Sequence, residues 1–435
     1  MTELRRVHVT GVAGVGMSAV ARAAVGCGLE VSGSDRYYDR GEDLPVLEQL
    51  RRGGIALYPQ DGSAVVPGVD AVVVSTAIET DNPELQEARA AGIPVLHRSV
   101  LLAHLAEGKR CLAVAGTCGK STVTGMAGWI LEQAGLDPTV VNGAPVTNWQ
   151  SDDAVGNVRM GGDLWVIEAD ESDRSLLNYA PLHAVVTNMS ADHFDMAETR
   201  RVFEAFRQRV SGTCIGALDG CDDLADLRAE QVAGGSRFCF RGVPFELALP
   251  GAHNVENAAH AAALCALVGV LPEQSAKALR SFRGIHRRLE PVFASAGISV
   301  VDDYAHNPAK IAAALATMLP HAARLIAIWR PHGYGPLRSM LDGLTETFAV
   351  LRGGVHRVIL LPVYDAGGTA DRSISSESLA DRLRPLGVAV DTVADYPEVR
   401  ECLRQLTLTS GDVVLVMGAR DPGLPHLART CLLSA

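Results

Sequence analysis

The stretch Cys111–Thr122, CLAVAGTCGKST, decides the fold of the central part of the chain. Cys111–Ala115 is apolar, which is typical of a buried strand, and Lys120–Ala134 has the composition of a helix that Gly135 ends. The glycines between them predict a tight turn from strand to helix. Backbone N–H groups and the helix dipole favour a bound phosphate at such a turn.

This loop resembles the phosphate-binding loop of nucleotide triphosphatases, although Val114 occupies the position of the loop's first glycine. Lys120 is expected to neutralise the terminal phosphates and Ser121 to ligate Mg²⁺. The pattern therefore predicts an ATP site. Its residues would be Gly116, Thr117, Gly119, Lys120, Ser121 and Thr122.

Carboxylates follow the next apolar strand, Leu164–Glu168, in the order Glu168, Asp170, Glu171 and Asp173. Ligands of α/β sheets bind beyond the carboxyl ends of strands. Concentrated negative charge there is costly unless a cation offsets it, and Mg²⁺ prefers oxygen ligands. A further strand, Ala184–Thr187, leads to His193, for which we also predict a ligand role.

A second glycine cluster, Gly11–Gly16, lies near the start of the chain between a strand at Val7–Thr10 and a helix at Ser18–Gly26. Its order is GxxGxG rather than the GxGxxG of dinucleotide-binding proteins. Asp35 ends the following strand, where such proteins place their ribose ligand. The cluster is compatible with NAD or with another nucleotide that carries a diphosphate.

Alternating strands and helices along the whole chain predict an α/β protein with parallel sheets. We expect three domains: a Rossmann-like domain at 1–107, a central phosphate-loop domain at 108–290 and a second Rossmann-like α/β domain at 291–435. In the last one, strands are expected at Ile298–Asp302, Leu325–Trp329, Val358–Pro362 and Val413–Met417.

Composition narrows the class of protein further. The 435 residues carry a net charge of −11, so the basic footprint of a nucleic-acid-binding protein is absent. The nine cysteines lack any CxxC spacing, which argues against a zinc site or a disulfide framework. No apolar run approaches the roughly 20 residues that cross a bilayer. We expect a cytoplasmic protein without membrane insertion, and the sequence predicts no oligomeric state.

In this order, the GTxGKS loop, the EADES strand end and the NxxxDHFD segment resemble the Mur ligase family. Later segments agree with this resemblance and extend it over nearly the whole chain. They are GAHNVENA at 251–258, GIHRRLE at 284–290, DDYAHNP at 302–308 and GDVVLVMGA at 411–419.

The resemblance implies an ATP-dependent ligase that joins an amine to a carboxylate through an acyl phosphate. Ser121 and Glu168 would hold one Mg²⁺ and His193 a second. Asn254, Asn257 and Arg288 would face the nucleoside of ATP, and Asp303 would help to bind it. The catalytic residues would be Lys120, His193, His306 beside the incoming amine, and Arg338.

The first segment resembles the branch of the family that adds alanine, or a preformed murein tripeptide, to UDP-N-acetylmuramate. The residues expected to hold the UDP part are Gly14, Val15, Gly16, Ser34, Asp35 and Ser75. Other branches carry a carbamylated lysine after the metal histidine. Here no lysine occurs between Asp192 and Lys277, and Phe206 takes its place, in agreement with the alanine-adding branch.

One departure from that branch concerns the acceptor. Its members carry several arginines around a Pro-His segment, but Arg330–Arg338 reads RPHGYGPLR, with glycine and proline at two of those positions. Alanine is the first expectation, with a short peptide or a non-peptidoglycan acceptor as the alternative. A nicotinamide-dependent oxidoreductase and a non-catalytic nucleotide-binding protein remain as different classes.

Overall fold

The structure is a computed structural model that describes residues 4–42, 44–190, 194–218, 227, 229–232, 235–365 and 371–432. Contacts divide the chain into two compact units, Met1–His286 and Arg287–Ala435. Among the described residues, the helices lack the length and the apolar character of a membrane span.

The first unit begins with a five-stranded, entirely parallel sheet in the order β3-β2-β1-β4-β5. Its strands are β1 Arg6–Thr10, β2 Glu30–Ser34, β3 Ala56–Tyr58, β4 Ala71–Val74 and β5 Val95–His97. Its helices are α1 Val15–Gly26, α2 Arg36–Asp39, α3 Pro45–Arg52, α4 Pro83–Ala90 and α5 Arg98–Leu105. The predicted doubly wound parallel sheet is confirmed.

A six-stranded sheet follows in the order β11-β10-β6-β9-β7-β8, parallel except for the pair β7–β8. Its strands are β6 Arg110–Ala115, β7 Thr139–Val141, β8 Val158–Arg159, β9 Leu164–Glu168, β10 His183–Val186 and β11 Cys214–Gly216. The helices of this region are α6 Lys120–Gln133, α7 Met196–Arg207, α8 Ala252–Ala266 and α9 Pro272–Leu279.

The first unit also contains an antiparallel sheet that the sequence analysis did not predict. It consists of β12 Ala229–Val232, β13 Gly235–Phe240 and β14 Val243–Leu247. Phe238 and Phe245 stack across it with ring centroids 4.9 Å apart. Because these rings belong to the same core as α6 and α8, the small sheet covers the helices that carry the phosphate loop and Asn257.

The second unit is a six-stranded sheet in the order β15-β16-β20-β17-β18-β19, parallel except for β15–β16. The strands are β15 Glu290–Ser295, β16 Ile298–Asp303, β17 Arg324–Arg330, β18 Arg357–Leu360, β19 Ala389–Thr392 and β20 Asp412–Gly418. The helices are α10 Pro308–Met318, α11 Tyr334–Ser339, α12 Leu341–Phe348, α13 Ser376–Leu383, α14 Tyr396–Gln405 and α15 Leu424–Thr430.

The predicted strands of this unit are found with shifts of one or two residues at their ends. The prediction that the first helix begins at Ser18 was wrong by about one turn, since α1 begins at Val15. The helical backbone therefore starts inside the glycine cluster, directly after Gly14. Val15 and Gly16 present their N–H groups in its first turn, where those groups have no partner within the helix.

Candidate active site

Two close backbone approaches fix the loop between β6 and α6. A Cβ atom at Gly116 would lie 2.1 Å from Thr187 Oγ1, and one at Gly119 would lie 2.3 Å from Asn257 Oδ1. Both glycines have positive φ angles, +130° and +85°. Glycine is thus required at both positions, and the loop is packed against the end of β10 and against α8.

The end of β10 also holds the loop by hydrogen bonds. The N–H of Cys118 donates to Asn188 Oδ1 at 2.9 Å, and Thr187 Oγ1 donates to the carbonyl of Cys118 at 2.6 Å. Thr117 is fixed in the same way, because its hydroxyl accepts from the N–H of Ser190 at 3.0 Å. A loop held on both sides keeps its N–H groups in a fixed arrangement, as a phosphate cradle requires.

Lys120 is the first residue of α6 and lies mostly buried beside the loop. Its Nζ donates to Glu171 Oε2 at 2.5 Å and to the Gly116 carbonyl at 2.8 Å, and Asp170 Oδ1 is 3.9 Å away. Burial would lower the pKa of Lys120, but the carboxylates of Glu171, Asp170 and Glu168 outweigh it and raise the pKa. Lys120 therefore carries its charge at neutral pH.

The carboxylate of Glu168 lies at the carboxyl end of β9. Its Oε2 accepts from the N–H of Gly143 at 2.7 Å, so close that a Cβ at Gly143 would lie 2.5 Å from it. Two buried oxygens nearby, Asn142 Oδ1 and Glu171 Oε1, have no hydrogen-bond partner among the described residues. Buried oxygens without donors are costly unless a cation or a ligand completes them.

No group of three His, Cys, Asp or Glu side chains in the described ranges is arranged to hold a metal by itself. Mg²⁺ is commonly held by one or two carboxylates together with substrate phosphates. Glu168, Ser121 and the unpartnered oxygens fit that manner of binding. His193, the third predicted metal ligand, lies outside the described residues.

A cleft of about 380 Å³ extends from the first glycine cluster to this acidic strand end. Gly14, Val15 and Gly16 line one side with Ser75, and Glu168 lines the other. The sequence predicted these residues as separate sites, and the structure brings them into one cavity.

Arg98 lines the same cleft and was not predicted. Its Nη1 lies 2.5 Å from the place of a Cβ at Gly16, and its Nη2 is 3.5 Å from Asp170 Oδ2. It thus joins the glycine cluster to the acidic strand end. The sequence does show a cation directly after β5, and this position could have indicated a ligand-binding role. Which loop Arg98 would face, however, depends on packing between segments distant in sequence.

Ser34 and Asp35, both predicted for the UDP part, lie behind the glycine cluster. Asp35 accepts from the N–H groups of Ala13 and Tyr37 at 2.9 and 3.0 Å. The hydroxyl of Ser34 is fully buried and donates to Glu84 at 2.8 Å, while its carbonyl accepts from Gly11 and Val12. These two residues hold the shape of the cluster in this structure.

The remaining predicted residues of the first unit lie on three helices. Asn254 and Asn257 are buried on α8; Asn257 contacts the phosphate loop at Gly119, whereas the amide of Asn254 donates to the Pro250 carbonyl at 2.7 Å. Thr122 is half-buried in the first turn of α6. Phe206 is fully buried in the core on α7, as its apolar character requires.

In the second unit, Asp303 ends β16 and is almost completely buried. It accepts from the N–H groups of Leu289 and Ala305, both at 2.7 Å. Burial raises its pKa, although the charge of Arg288 opposes that shift. The Arg288 guanidinium lies over the ring of Tyr304.

Arg338 and His306 occupy different surroundings in the second unit. The Arg338 guanidinium, which is partly exposed, bonds to Ser373 at 2.8 Å and to Asp371 at 2.9 Å. His306 follows β16, and its ring packs against that of His332 with centroids 4.9 Å apart. The structure thus does not bring Arg338 and His306 into a mutual contact.

The fold and site define an α/β enzyme with a phosphate loop and an adjoining acidic strand end. Comparison with family models matches residues 6–110 to the Mur ligase family catalytic domain, 114–213 to the Mur ligase middle domain and 287–420 to the Mur ligase glutamate ligase domain. The chain belongs to the Mur ligase family, and it is an ATP-dependent ligase.

Individual relatives give the same result. The UDP-N-acetylmuramate–L-alanine ligase of Xanthomonas euvesicatoria is 38% identical, covering 96% of this chain and 93% of the relative. The UDP-N-acetylmuramate–alanine ligase structure from Thermotoga maritima superposes with a TM-score of 0.80 at 26% identity over 98% of both chains. A murein peptide ligase structure from Psychrobacter arcticus shares the fold, with a TM-score of 0.68 at 21% identity over 98% of both chains.

Proposed function

We propose that the protein joins UDP-N-acetylmuramate to an amino acid, L-alanine first, at the expense of ATP, in the cytoplasmic synthesis of peptidoglycan precursors. The observation that carries the proposal is the single cleft running from Gly14–Gly16 to Glu168. A UDP-linked sugar acid with its diphosphate at the glycine cluster would extend its carboxylate toward the acidic strand end. We retain the three domains at 1–107, 108–290 and 291–435 as part of this proposal.

ATP supplies the phosphoryl group that turns the substrate carboxylate into an acyl phosphate, which an amine can attack. Lys120 and the N–H groups of the loop neutralise and align the phosphates, the main requirement of phosphoryl transfer. Ser121 and Glu168, with His193, would hold Mg²⁺, whose charge shields the carboxylates from the phosphates. Arg98 supplies the cation for the substrate diphosphate at Gly14–Gly16.

The test is phosphate release from ATP and Mg²⁺ with UDP-N-acetylmuramate, measured with alanine, serine, glycine and the murein tripeptide. Turnover with alanine supports the proposal. Turnover with the tripeptide alone would assign the chain to peptide recycling. Absence of turnover with every acceptor, in a sample that binds ATP, would refute the proposed acceptor reaction.

Lys120→Ala is the matched negative control for that assay. We expect it to lower ATP turnover by more than about 100-fold, because Lys120 supplies the positive charge beside the loop. The substitution should leave the fold intact, which circular dichroism checks, although it removes the partner of the buried Glu171. Lys277→Ala, at an exposed position of α9, should retain full activity. Near-full ligation by Lys120→Ala would contradict the assignment of the ATP site.

A further inference from the structure

Three parallel strands of the second unit end side by side. Asp303 of β16 pairs with Met417 of β20, and Gly418 of β20 pairs with Arg330 of β17. The loops that follow these strands therefore emerge at one edge of the sheet. Ligands of α/β sheets bind beyond this edge.

These loops bring two histidines into contact. The rings of His306 and His332 meet edge to face, with centroids 4.9 Å apart. His306 Nδ1 lies 2.9 Å from the Tyr304 carbonyl, which can only accept, so Nδ1 carries the proton and Nε2 keeps a lone pair. Burial and neighbouring cations lower the pKa of both rings, that of His332 to about 4. Both histidines are neutral at neutral pH.

Three cations act on His306, and one of them, Arg288, lies over the ring of Tyr304. Lys310, in the first turn of α10, and Arg420, after β20, both act on the charge of His306 and His332. In the part of the chain that the structure describes, neither side chain forms an ion pair or a hydrogen bond. Two positive charges at a strand edge, beside neutral imidazoles, form a site for an anion.

The arginines of the Pro-His segment are already paired. Arg330 bonds to Asp421 at 2.5 Å and lies over the rings of Tyr364 and Tyr396. Arg338 bonds to Asp371 at 2.9 Å. Neither is available for a carboxylate without breaking an existing ion pair. Arg288 is engaged with the ring of Tyr304. Among the described residues, the cations of this edge that have no such contact are Lys310 and Arg420.

We propose that Lys310 and Arg420 bind the α-carboxylate of the incoming amino acid. Deprotonation for attack removes the charge of the amino group, so the carboxylate is the one charge that the amino acid keeps throughout the reaction. Because His306 and His332 are neutral, neither ring adds a charge that would compete for the carboxylate. This inference rests on the proposed function and specifies how the acceptor is held despite the substituted Pro-His segment.

The test measures KM for each substrate in Lys310→Met and Arg420→Met. We expect KM for L-alanine to rise roughly tenfold to 100-fold, the effect of losing a charge-assisted bond. KM for ATP and for UDP-N-acetylmuramate should stay unchanged. Lys310→Arg should retain most of the affinity, and the exposed Arg352→Met serves as the control for general charge removal.

L-Alaninamide, which lacks the carboxylate, makes the test specific. The wild type should prefer alanine over the amide, and both methionine variants should lose that preference. A preserved preference would overturn the inference, as would a rise in KM for ATP in place of alanine. If the wild type turns over alanine and KM for alanine is unchanged in both variants, this inference is refuted and the proposed function is not. A wild type that uses no acceptor refutes the proposed function and the inference together.

Discussion

At the scale of single residues, the contact between Lys120 and Glu171 opposes nucleotide binding. Glu171 holds the ammonium at 2.5 Å, and ATP must draw the same charge to its phosphates. We predict that Glu171→Gln binds ATP more tightly, by roughly fivefold or about 1 kcal/mol, because it removes both the competing partner and a negative charge near the phosphates. Calorimetric titration without Mg²⁺ measures this directly.

The exposed Glu273→Gln of α9 is the control and should bind ATP like the wild type. Weaker binding by Glu171→Gln would contradict the prediction. It would mean instead that the unpartnered Oε1 of Glu171 takes part in holding the nucleotide.

Residue order along the chain predicted the phosphate loop, because strand, glycines and lysine are adjacent in sequence. The position of Arg98 beside Gly16 and of Glu171 beside Lys120 could not be predicted in this way. Both contacts join segments about 50 residues or more apart, and their geometry depends on how helices pack. The bonds that Asp35 accepts from the N–H groups of Ala13 and Tyr37 were not predicted either, although these residues are nearer in sequence.

At the scale of elements, an alanine at Gly116 would have two effects on stability: a clash with the end of β10 and a strained backbone. A suitable control variant separates the two. Gly116→Ala should lower the free energy of unfolding by about 3 kcal/mol or more. It should also weaken ATP binding, because its Cβ would meet both Thr187 and the N–H of Asn188. Gly353→Ala is the control, since Gly353 has a positive φ of +102° but open space around it. Urea unfolding of both variants measures the difference.

Equal destabilisation by the two alanines would show that strain alone matters at Gly116. A larger loss at Gly116, together with weaker ATP binding there only, is the expected result.

Glu84 connects β1 and β2 to the start of α4. It is fully buried and accepts from Thr10 at 2.6 Å and Ser34 at 2.8 Å, and it bonds to His8 at 2.9 Å. Burial would raise its pKa, but these bonds outweigh burial and hold the pKa below its usual range. The network fixes the strand ends from which the glycine cluster starts.

Glu84→Gln should therefore lose stability by roughly 1–3 kcal/mol at neutral pH. Because the folded pKa is depressed, this contribution is complete above the ordinary glutamate value of about 4.3 and is lost as pH falls through the folded value. The gap between wild type and variant should shrink in acid. Unfolding free energies from pH 7 downward measure it, and a gap that is constant or widens would contradict the assignment.

Elements with a continuous apolar run, such as β6 and β9, were predicted nearly to the residue. The strands β12, β13 and β14 were not, because these segments are short and exposed residues interrupt the buried ones in β13 and β14. Their stability comes from packing Phe238 and Phe245 into a core shared with α6 and α8.

At the scale of the whole molecule, the parallel sheets follow from the alternation of strands and helices. Which segments share a hydrophobic core cannot be predicted from this alternation. Val7 and Val9 of the first sheet belong to one hydrophobic cluster with Ala113 and Ile167 of the second. Asn157 strengthens that connection by donating to the Val15 carbonyl at 2.8 Å. The first two sheets consequently form one compact unit.

The division into two units predicts how a fragment of the chain would behave. The glycine cluster, the phosphate loop and Glu168 all lie in Met1–His286, which has its own hydrophobic cores. A fragment of residues 1–286 should fold and bind UDP-N-acetylmuramate within about tenfold of the full chain. It should bind ATP more weakly, because Arg288 and Asp303, both predicted to contact ATP, are absent from it. It should catalyse no ligation, since Lys310 and Arg420 lie in Arg287–Ala435. Circular dichroism, titration calorimetry and phosphate release test each point. A folded fragment that binds neither nucleotide would place essential binding residues in the second unit, whereas ligation by the fragment alone would remove that unit from the reaction.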